Sequence, residues 1–162
     1  MISYHKAKVD EAPEIKKLLY KTWVTTYSDI YSLEAIKTVT SNWHSIKLLT
    51  KQILNPNISF MVAKDNEKII GMCNALFKPI DNSINIQRLH IEPSYQRQGV
   101  GSTLIKKIIE TFPKVCKVNL EVEKQNHQAL SFYQKHGFKK VGKKVFVIKK
   151  IRMPCIIMEK SI

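Results

Sequence analysis

Two glycines lie where a peptide backbone can bind a phosphate group. Gly99 and Gly101 belong to the segment QRQGVG (96–101), between a predicted strand and a predicted helix. Glycine lets a backbone approach a ligand closely, and the first N–H groups of a helix lack intrahelical partners at the positive end of its dipole. The segment therefore predicts an anion site, most naturally for a pyrophosphate. A helix start without a ligand is the alternative, because the loop lacks both the GK[ST] of a P-loop and the third glycine of a Rossmann loop.

A second segment, NHQALSFYQKHGF (126–138), follows the first after one predicted helix and one predicted strand. Together the two segments resemble the GNAT superfamily of N-acetyltransferases. The first family motif, V-x-P-x-x-[QR]-x-x-G-[VI]-G, stands here as LHIEPSYQRQGVGSTLI. The second, N-x-x-A-x-x-[FL]-Y-x-x-x-G-F, stands here as LEVEKQNHQALSFYQKHGF. The resemblance covers residues 58–160 and, more loosely, the N-terminal helices.

The strand before the glycine segment changes its phase. Ile84 and Ile86 occupy even positions, whereas Leu89 and Ile91 occupy odd ones. Because side chains alternate with period two along a strand, this change predicts a β-bulge near Gln87–Arg88. The GNAT resemblance implies that the pantetheine arm of acetyl-CoA runs beside this strand, and that the bulge leaves a backbone N–H free to polarise the thioester carbonyl.

The same resemblance implies acetyl-CoA as the acetyl donor, bound in one continuous site. Its pyrophosphate would bind the glycine segment, where Arg97 adds charge and Ser102 and Thr103 add hydroxyl groups. The implied cofactor-binding residues are Leu89, His90, Ile91, Gln96, Arg97, Gln98, Gly99, Val100, Gly101, Ser102, Thr103, Asn126 and Tyr133.

Transfer to an amine needs an acid, and Tyr133 is the candidate. A thiolate leaves more readily when an acid delivers a proton to it. Tyr133 matches the family tyrosine that has this role. The alternative is an aromatic side chain on the buried face of an amphipathic helix.

Transfer also needs a base, because an amine with a pKa of about 10 must lose a proton before it attacks. Many relatives carry a carboxylate early in the bulged strand, but Asn85 and Gln87 stand here. The LEV sequence that contains Glu121 resembles the ribosomal-protein alanine acetyltransferases, in which that Glu is the base. Alternation places Glu121 on the polar face of its strand. A solvated carboxylate beside Glu123 and Lys117, with an ordered water as the base, is the alternative.

Aromatic residues after the first predicted helix are candidates for the acceptor wall. The segment TWVTTYSDIYS (22–32) resembles the spermidine/spermine N-acetyltransferase branch. Asp29 and Glu34 would attract a cation to this wall. Alternatively, the aromatic residues only pack helices against each other. The predicted acceptor is a polyamine-like or small primary amine, with a protein N-terminal amine as the other option. The implied substrate-binding residues are Trp23, Tyr27 and Tyr31.

The chain is strongly basic: 27 Lys and Arg stand against 13 Asp and Glu, a formal net charge of +14. Residues 139–152 contain seven Lys and Arg and no acid. A solvated hairpin, attraction of the CoA phosphates and docking on a ribosome or nucleic acid each account for this cluster. A non-catalytic nucleic-acid-binding module is therefore the second function class, although no RRM, KH or zinc-finger motif occurs.

The order of elements predicts a single N-acetyltransferase domain over residues 1–162, of the mixed α+β class. About four helices would cover a twisted, mainly antiparallel sheet of six to seven strands, starting with an edge strand at 2–8. Apolar residues spaced by three or four predict one helix from Ile36 to Ile53. Asn126 is predicted to cap the last helix and Gly137 to end it.

Cysteine usage and apolar runs limit the remaining classes. Cys73, Cys116 and Cys155 form no CxxC motif. They are predicted to be buried free thiols in a reducing, cytoplasmic compartment. A role of Cys116 as a covalent acetyl carrier is the disfavoured alternative. The histidines show no metal-ligand spacing, so no metal is predicted. No apolar run reaches the about 20 residues of a membrane span, and no signal-peptide core is found. The oligomeric state is left open, with a dimer as one option.

Overall fold

Seven strands form one sheet in the order β1-β2-β3-β4-β5-β7-β6, in a computed structural model that describes residues 1–162. The strands are β1 (Ile2–Lys6), β2 (Ile58–Asp65), β3 (Lys68–Lys78), β4 (Ser83–Ile91), β5 (Lys117–Glu123), β6 (Lys139–Ile148) and β7 (Ile151–Ser161). The helices are α1 (Ala12–Tyr27), α2 (Leu33–Trp43), α3 (Ile46–Leu54), α4 (Val100–Glu110) and α5 (His127–Lys135), with 3-10 turns at Val9–Glu11 and Pro93–Tyr95. All neighbouring strands are antiparallel except β4 and β5, which are parallel. This is the predicted fold class.

The second predicted helix is divided into α2 and α3, which raises the number of helices to five. Ser45 accepts a hydrogen bond from the backbone N–H of Leu48 at 3.1 Å and caps α3. A serine cap satisfies a free N–H of a new helix, so the chain turns at His44 although the apolar spacing continues across it. None of the five helices combines the length and hydropathy that a membrane crossing requires.

The two faces of the sheet carry different helices. Helices α4 and α5 cover one face, where Ile84, Leu104 and Leu120 are buried in a cluster of 19 residues. Helices α1 and α3 cover part of the other, where Leu19 and Leu49 are buried. Because the central parts of β2 and β3 are covered on both sides, consecutive residues from Ser59 to Ala63 and from Ile69 to Ala75 are buried, as continuous apolar runs of this kind indicate.

The predicted bulge is present in β4. Asn74 pairs with Arg88 whereas Ala75 pairs with Ile86, so Gln87 is the extra residue. The insertion reverses the alternation: Leu89, like Ile86, packs with the α4 cluster, while Arg88 and His90 lie on the opposite face. Pairing between β4 and β5 ends at the step before the bulge, with Ile86 opposite Leu120.

One cysteine prediction is wrong. Cys73 and Cys155 are buried, but Cys116 is exposed. Cys116 lies just before β5 begins, where its backbone pairs with Asn82 and Ile162 and its thiol lies 3.5 Å from the carbonyl oxygen of the exposed residue Asp81. The basic hairpin of β6 and β7 places β6 at the sheet edge, with most of its residues exposed.

Candidate active site

A groove of about 1420 Å³ opens where β4 and β5 separate. The two strands stop pairing at Ile86 and Leu120, yet β4 continues to Ile91 and β5 to Glu123. Most of the residues that the sequence singled out line this groove. They are Trp23, Tyr27, Leu89, His90, Ile91, Gln96, Arg97, Gly99, Gly101, Ser102, Glu121, Asn126 and Tyr133.

Four candidate residues do not line the groove. Val100 is buried in the core below it, Gln98 donates to the carbonyl of Ser94, and Thr103 uses its N–H in the first intrahelical bond, to Gly99. Tyr31 stands behind the groove wall, where its hydroxyl donates to Glu123 at 3.2 Å.

The glycine segment delivers free N–H groups to the groove. Gly99 is the residue before α4 and has φ of +81°. This left-handed conformation is unfavourable for any residue that has a side chain. The N–H groups of Val100, Gly101 and Ser102 follow it without intrahelical partners. At Gly101 an added Cβ would lie 3.4 Å from Phe132 Cζ, so α4 and α5 approach closely here.

The hydroxyl of Ser102 already has a partner. It lies 2.8 Å from His136 Nε2, while His136 Nδ1 lies 2.8 Å from the carbonyl oxygen of Phe132. Because a carbonyl only accepts, Nδ1 carries the proton, and in the neutral ring Nε2 accepts from the Ser102 hydroxyl. Ser102 therefore offers the groove its backbone N–H and its oxygen lone pairs.

The edge of β4 beyond the bulge is free for an extended ligand. Glu92 donates its N–H to the carbonyl of Ile70 on β3. Backbone groups alternate sides along a strand, so those of Leu89 and Ile91 point away from β3, into the groove. Gln96 donates to the carbonyl oxygen of Ile91 at 3.0 Å, which links this edge to the glycine segment.

Tyr133 and Asn126 stand on α5 beside this edge. Burial raises the pKa of the Tyr133 phenol well above its ordinary value, so the hydroxyl stays protonated at neutral pH. Asn126 accepts from the N–H of Ala129 at 3.2 Å as the predicted helix cap, and donates to the Tyr27 hydroxyl at 3.3 Å. Gly137, with φ of +87°, ends the helix as predicted.

Two carboxylates of β5 face the groove from the opposite side. Glu121 is 23% exposed, accepts from Asn85 Nδ2 at 3.3 Å and lies 3.8 Å from Lys144 Nζ. Glu123 was expected on a solvated face but is only 3% exposed, and it accepts from Tyr31 and from the N–H of Gln125. Alternation alone could not reveal this burial, because the partners of Glu123 are Tyr31, from the segment after α1, and the backbone beyond the end of β5.

Aromatic side chains of α1 form one wall. The rings of Trp23 and Tyr27 lie 4.5 Å apart, and burial raises the pKa of Tyr27 to about 12. Asp29 and Glu34, expected to attract a cation, are exposed and lie outside the groove. They follow the end of α1, where the chain turns away from the sheet, so the acidic groups near this wall are Glu121 and Glu123.

A family model described as the acetyltransferase (GNAT) family matches residues 16–138, most of the chain. The chain belongs to the acetyltransferase (GNAT) family. As a GNAT protein it is an N-acetyltransferase that uses acetyl-CoA.

This GNAT chain is similar to several named enzymes. It is 28% identical over 144 residues to the spermidine N(1)-acetyltransferase of Thermoplasma acidophilum, covering 85% of this chain and 88% of that one. It is 27% identical over 119 residues to a Bacillus subtilis protein named "Putative ribosomal protein bS18-alanine N-acetyltransferase", covering 70% and 74%. The crystal structure of the PaiA N-acetyltransferase of T. acidophilum in complex with coenzyme A has a TM-score of 0.89 and 26% identity, covering 100% of this chain and 99% of that one.

One further carboxylate, which sequence patterns did not single out, fixes the end of β4 ahead of the glycine segment of this GNAT chain. Glu92 directly follows β4 and is 7% exposed on its side chain. Lys21 of α1 and Lys68 of β3 donate to it at 2.8 and 2.9 Å, and these hydrogen bonds hold its pKa below the ordinary value of 4.5. The charged form of Glu92 therefore joins α1, β3 and the end of β4.

We expect Glu92→Gln to destabilise the fold by about 1 kcal/mol at pH 7, a modest amount because both lysines are more than half exposed. A carboxylate whose pKa falls on folding stabilises the native state above its unfolded pKa, and this stability is lost as the pH drops through the folded value. In urea unfolding the gap between wild type and variant should therefore close below about pH 4.5. Glu110→Gln, which removes an exposed carboxylate of α4, is the control; a gap independent of pH would contradict the assignment.

Proposed function

We propose that the chain transfers the acetyl group of acetyl-CoA directly to a primary amine bound in the same groove. One observation carries the proposal: the unpaired edge of β4, the N-terminus of α4, Tyr133 and Glu121 all open into a single groove. When bound, acetyl-CoA supplies a thioester, whose carbonyl carbon gains a bond to the amine nitrogen while its bond to sulfur breaks.

Direct transfer is favoured over a cysteine-bound acetyl group. Cys155 lines the groove, but burial raises its pKa to about 11, so it remains a thiol rather than a nucleophilic thiolate. Cys73 is fully buried, and Cys116 is exposed outside the groove.

The residues of the groove fit the two ends of a CoA thioester. The free N–H groups of Val100, Gly101 and Ser102, with the Arg97 guanidinium nearby, would hold the pyrophosphate. The backbone groups of Leu89 and Ile91 would pair with the pantetheine amides, as an added strand pairs with a sheet edge. The PaiA structure, which contains coenzyme A, supports this placement through its similar fold.

Gly101→Val should weaken CoA binding at least tenfold, and it should also lower the free energy of unfolding somewhat, because the new side chain crowds Phe132. The added side chain would point towards Phe132 and Leu89 at the mouth of the site, where a Cβ already has contacts at 3.4 and 3.8 Å. Isothermal calorimetry measures the affinity. Lys106→Val puts the same side chain on the exposed face of α4 and is the matched control. Equal CoA affinity in the two variants would remove the glycine segment from the site.

Tyr133 would give its hydroxyl proton to the departing sulfur. Its raised pKa keeps the hydroxyl protonated before the reaction, so that it can donate to the sulfur as negative charge develops there. The side chain is 7% exposed and packs on Phe138, with ring centroids 5.4 Å apart, so its orientation is fixed. Burial in the core and a role as the acid are thus compatible.

Tyr133→Phe should lower kcat by about 10²–10⁴-fold, the usual size of a general-acid effect, with little change in CoA affinity. The ring still packs, and only the hydroxyl is lost. Tyr4→Phe, on the far edge strand, is the control. A Tyr133→Phe enzyme with the kcat of the wild type would exclude Tyr133 as the acid.

Glu121 would take a proton from the amine, through one water molecule. The side chain is partly exposed to the groove, and the Asn85 amide holds it towards β4. Asn85 is itself fixed by Asn119, whose side-chain oxygen accepts from it at 2.7 Å. An ordered water bound to backbone carbonyls is the alternative base.

Glu121→Gln keeps the size of the side chain but removes its basicity. It should lower kcat/KM at neutral pH and shift the pH optimum upward, because only amine that is already deprotonated can then react. Initial rates measured between pH 6 and 10 test this. Glu159→Gln, on neighbouring β7 and outside the groove, is the matched control. If Glu121→Gln retains the rate and pH profile of the wild type, Glu121 is not the base, and an ordered water bound to backbone carbonyls takes that role.

Two acceptor classes follow from the relatives. The spermidine N(1)-acetyltransferase supports a polyamine-like or small primary amine, with Trp23 and Tyr27 as the wall and Tyr31 behind it. The Bacillus relative supports a protein N-terminal amine. In either case Glu121 and Glu123 provide the negative charge that attracts an ammonium group.

A further inference from the structure

We infer that the acceptor carries an anionic group, a carboxylate or a phosphate, in addition to its amine, and that Arg88 binds this group in the groove. The inference rests on the proposed function and names its substrate class. It depends on three observations: the contacts of Arg88, the absence of an acid beside it, and its position relative to Glu121.

Arg88 is held rigidly at the floor of the groove. Its guanidinium donates to the backbone oxygen of Trp43 at 2.6 Å and to Gln52 Oε1 at 2.8 Å. These bonds use two of its five N–H donors. Protein surrounds the side chain in most directions, although part of it remains accessible from the groove. A fixed guanidinium with unused donors is suited to binding a carboxylate or phosphate.

No carboxylate neutralises Arg88. None lies within 4.0 Å of its guanidinium, although Glu11 and Glu92 each attract a lysine elsewhere in the fold. A charge removed from water without a partner is costly, and burial accordingly lowers the pKa of Arg88 to about 10. An anion supplied by a ligand would remove this cost.

The neighbours of Arg88 on the groove wall are two uncharged histidines. Burial, with Arg88 as the next cause, lowers the pKa of His90 to about 3 and that of His44 to about 2. The Nδ1 atom of His44 is buried without any hydrogen-bond partner, an arrangement that calls for an explanation in a native structure. An anion beside Arg88 would favour the protonated forms of both rings.

The bulge places Arg88 on the same face of the sheet as the carboxylates of β5. Before Gln87, the Asn85 side chain reaches Glu121, while Ile86 packs on the α4 side. After the insertion the phase reverses, so Arg88 lies on the face of Asn85 and Glu121 rather than in the apolar core. The groove therefore has carboxylates along β5 and a guanidinium along β4, on opposite sides of the gap between the strands.

This charge distribution fits an acceptor with both signs of charge. The ammonium group of such a molecule would approach Glu121 while its carboxylate or phosphate binds Arg88. A polyamine carries only positive groups, and Arg88 would repel whichever of them lay near it. Amino-acid-like amines and amino phosphates are therefore better suited to the groove than spermidine.

Matched amines test the inference in an acetyl-CoA turnover assay. Lysine differs from cadaverine by one carboxylate, and O-phosphoethanolamine differs from ethanolamine by one phosphate. We expect at least tenfold higher kcat/KM for the anionic member of one pair, mainly through a lower KM, and the pair that responds identifies the anion. In Arg88→Met, which keeps an unbranched side chain without charge, this preference should disappear; Arg88→Lys should retain part of it.

Two controls separate the inference from other effects. Lys47→Gln removes one exposed charge from neighbouring α3 and should keep the preference. Unchanged CoA affinity in Arg88→Met shows that the groove is intact. Equal or better turnover of cadaverine, ethanolamine and spermidine, or a preference that survives in Arg88→Met, would overturn the anion site while N-acetylation stands. If no amine reacts, the proposed function fails, and calorimetric binding of lysine and O-phosphoethanolamine to CoA-loaded wild type and Arg88→Met still decides on the anion site.

Discussion

The extra residue Gln87 in β4 is the constraint on which the site depends. Before this residue, β4 pairs with β5 as in the interior of any sheet. After it, the two strands no longer pair, and a groove lies between them. The same insertion reverses which side chains face the helices, so that Leu89 continues the apolar core and Arg88 and His90 enter the groove. One inserted residue thereby produces both a free backbone edge and a polar wall.

The surrounding elements hold the chemical groups against that edge. Helix α4 follows β4 after the 3-10 turn at Pro93–Tyr95 and the glycine segment, and the left-handed conformation of Gly99 directs the free N–H groups of the helix towards the groove. Helix α5 packs on it through Phe132, which fixes Tyr133 beside the same edge. Strand β5 supplies Glu121 from the opposite side. The proposed donor site, acid and base are thus carried by three elements that share one buried core, which limits their relative motion.

Much of this arrangement is predictable from the sequence, because it depends on local signals. The change from even to odd apolar positions located the bulge, Asn126 and Gly137 marked the ends of α5, and the mixed, mainly antiparallel sheet followed from the pattern of elements. The break at Ser45 was missed because the apolar spacing continues through it. The burial of Glu123 and the uncompensated charge of Arg88 depend on contacts with segments far away along the chain, and no local pattern carries that information.

Hydrogen exchange of backbone amides, followed residue by residue by NMR, tests most directly whether the groove edge of β4 binds the donor. The N–H groups of Leu89 and Ile91 have no strand partner on that side, whereas those of Ile84 and Ile86 lie within the paired part of β4. The account predicts that the Leu89 and Ile91 amides exchange rapidly in the free protein and at least tenfold more slowly with saturating CoA, while Ile84 and Ile86 are protected in both states. Unchanged exchange at Leu89 and Ile91 in the CoA complex would contradict it.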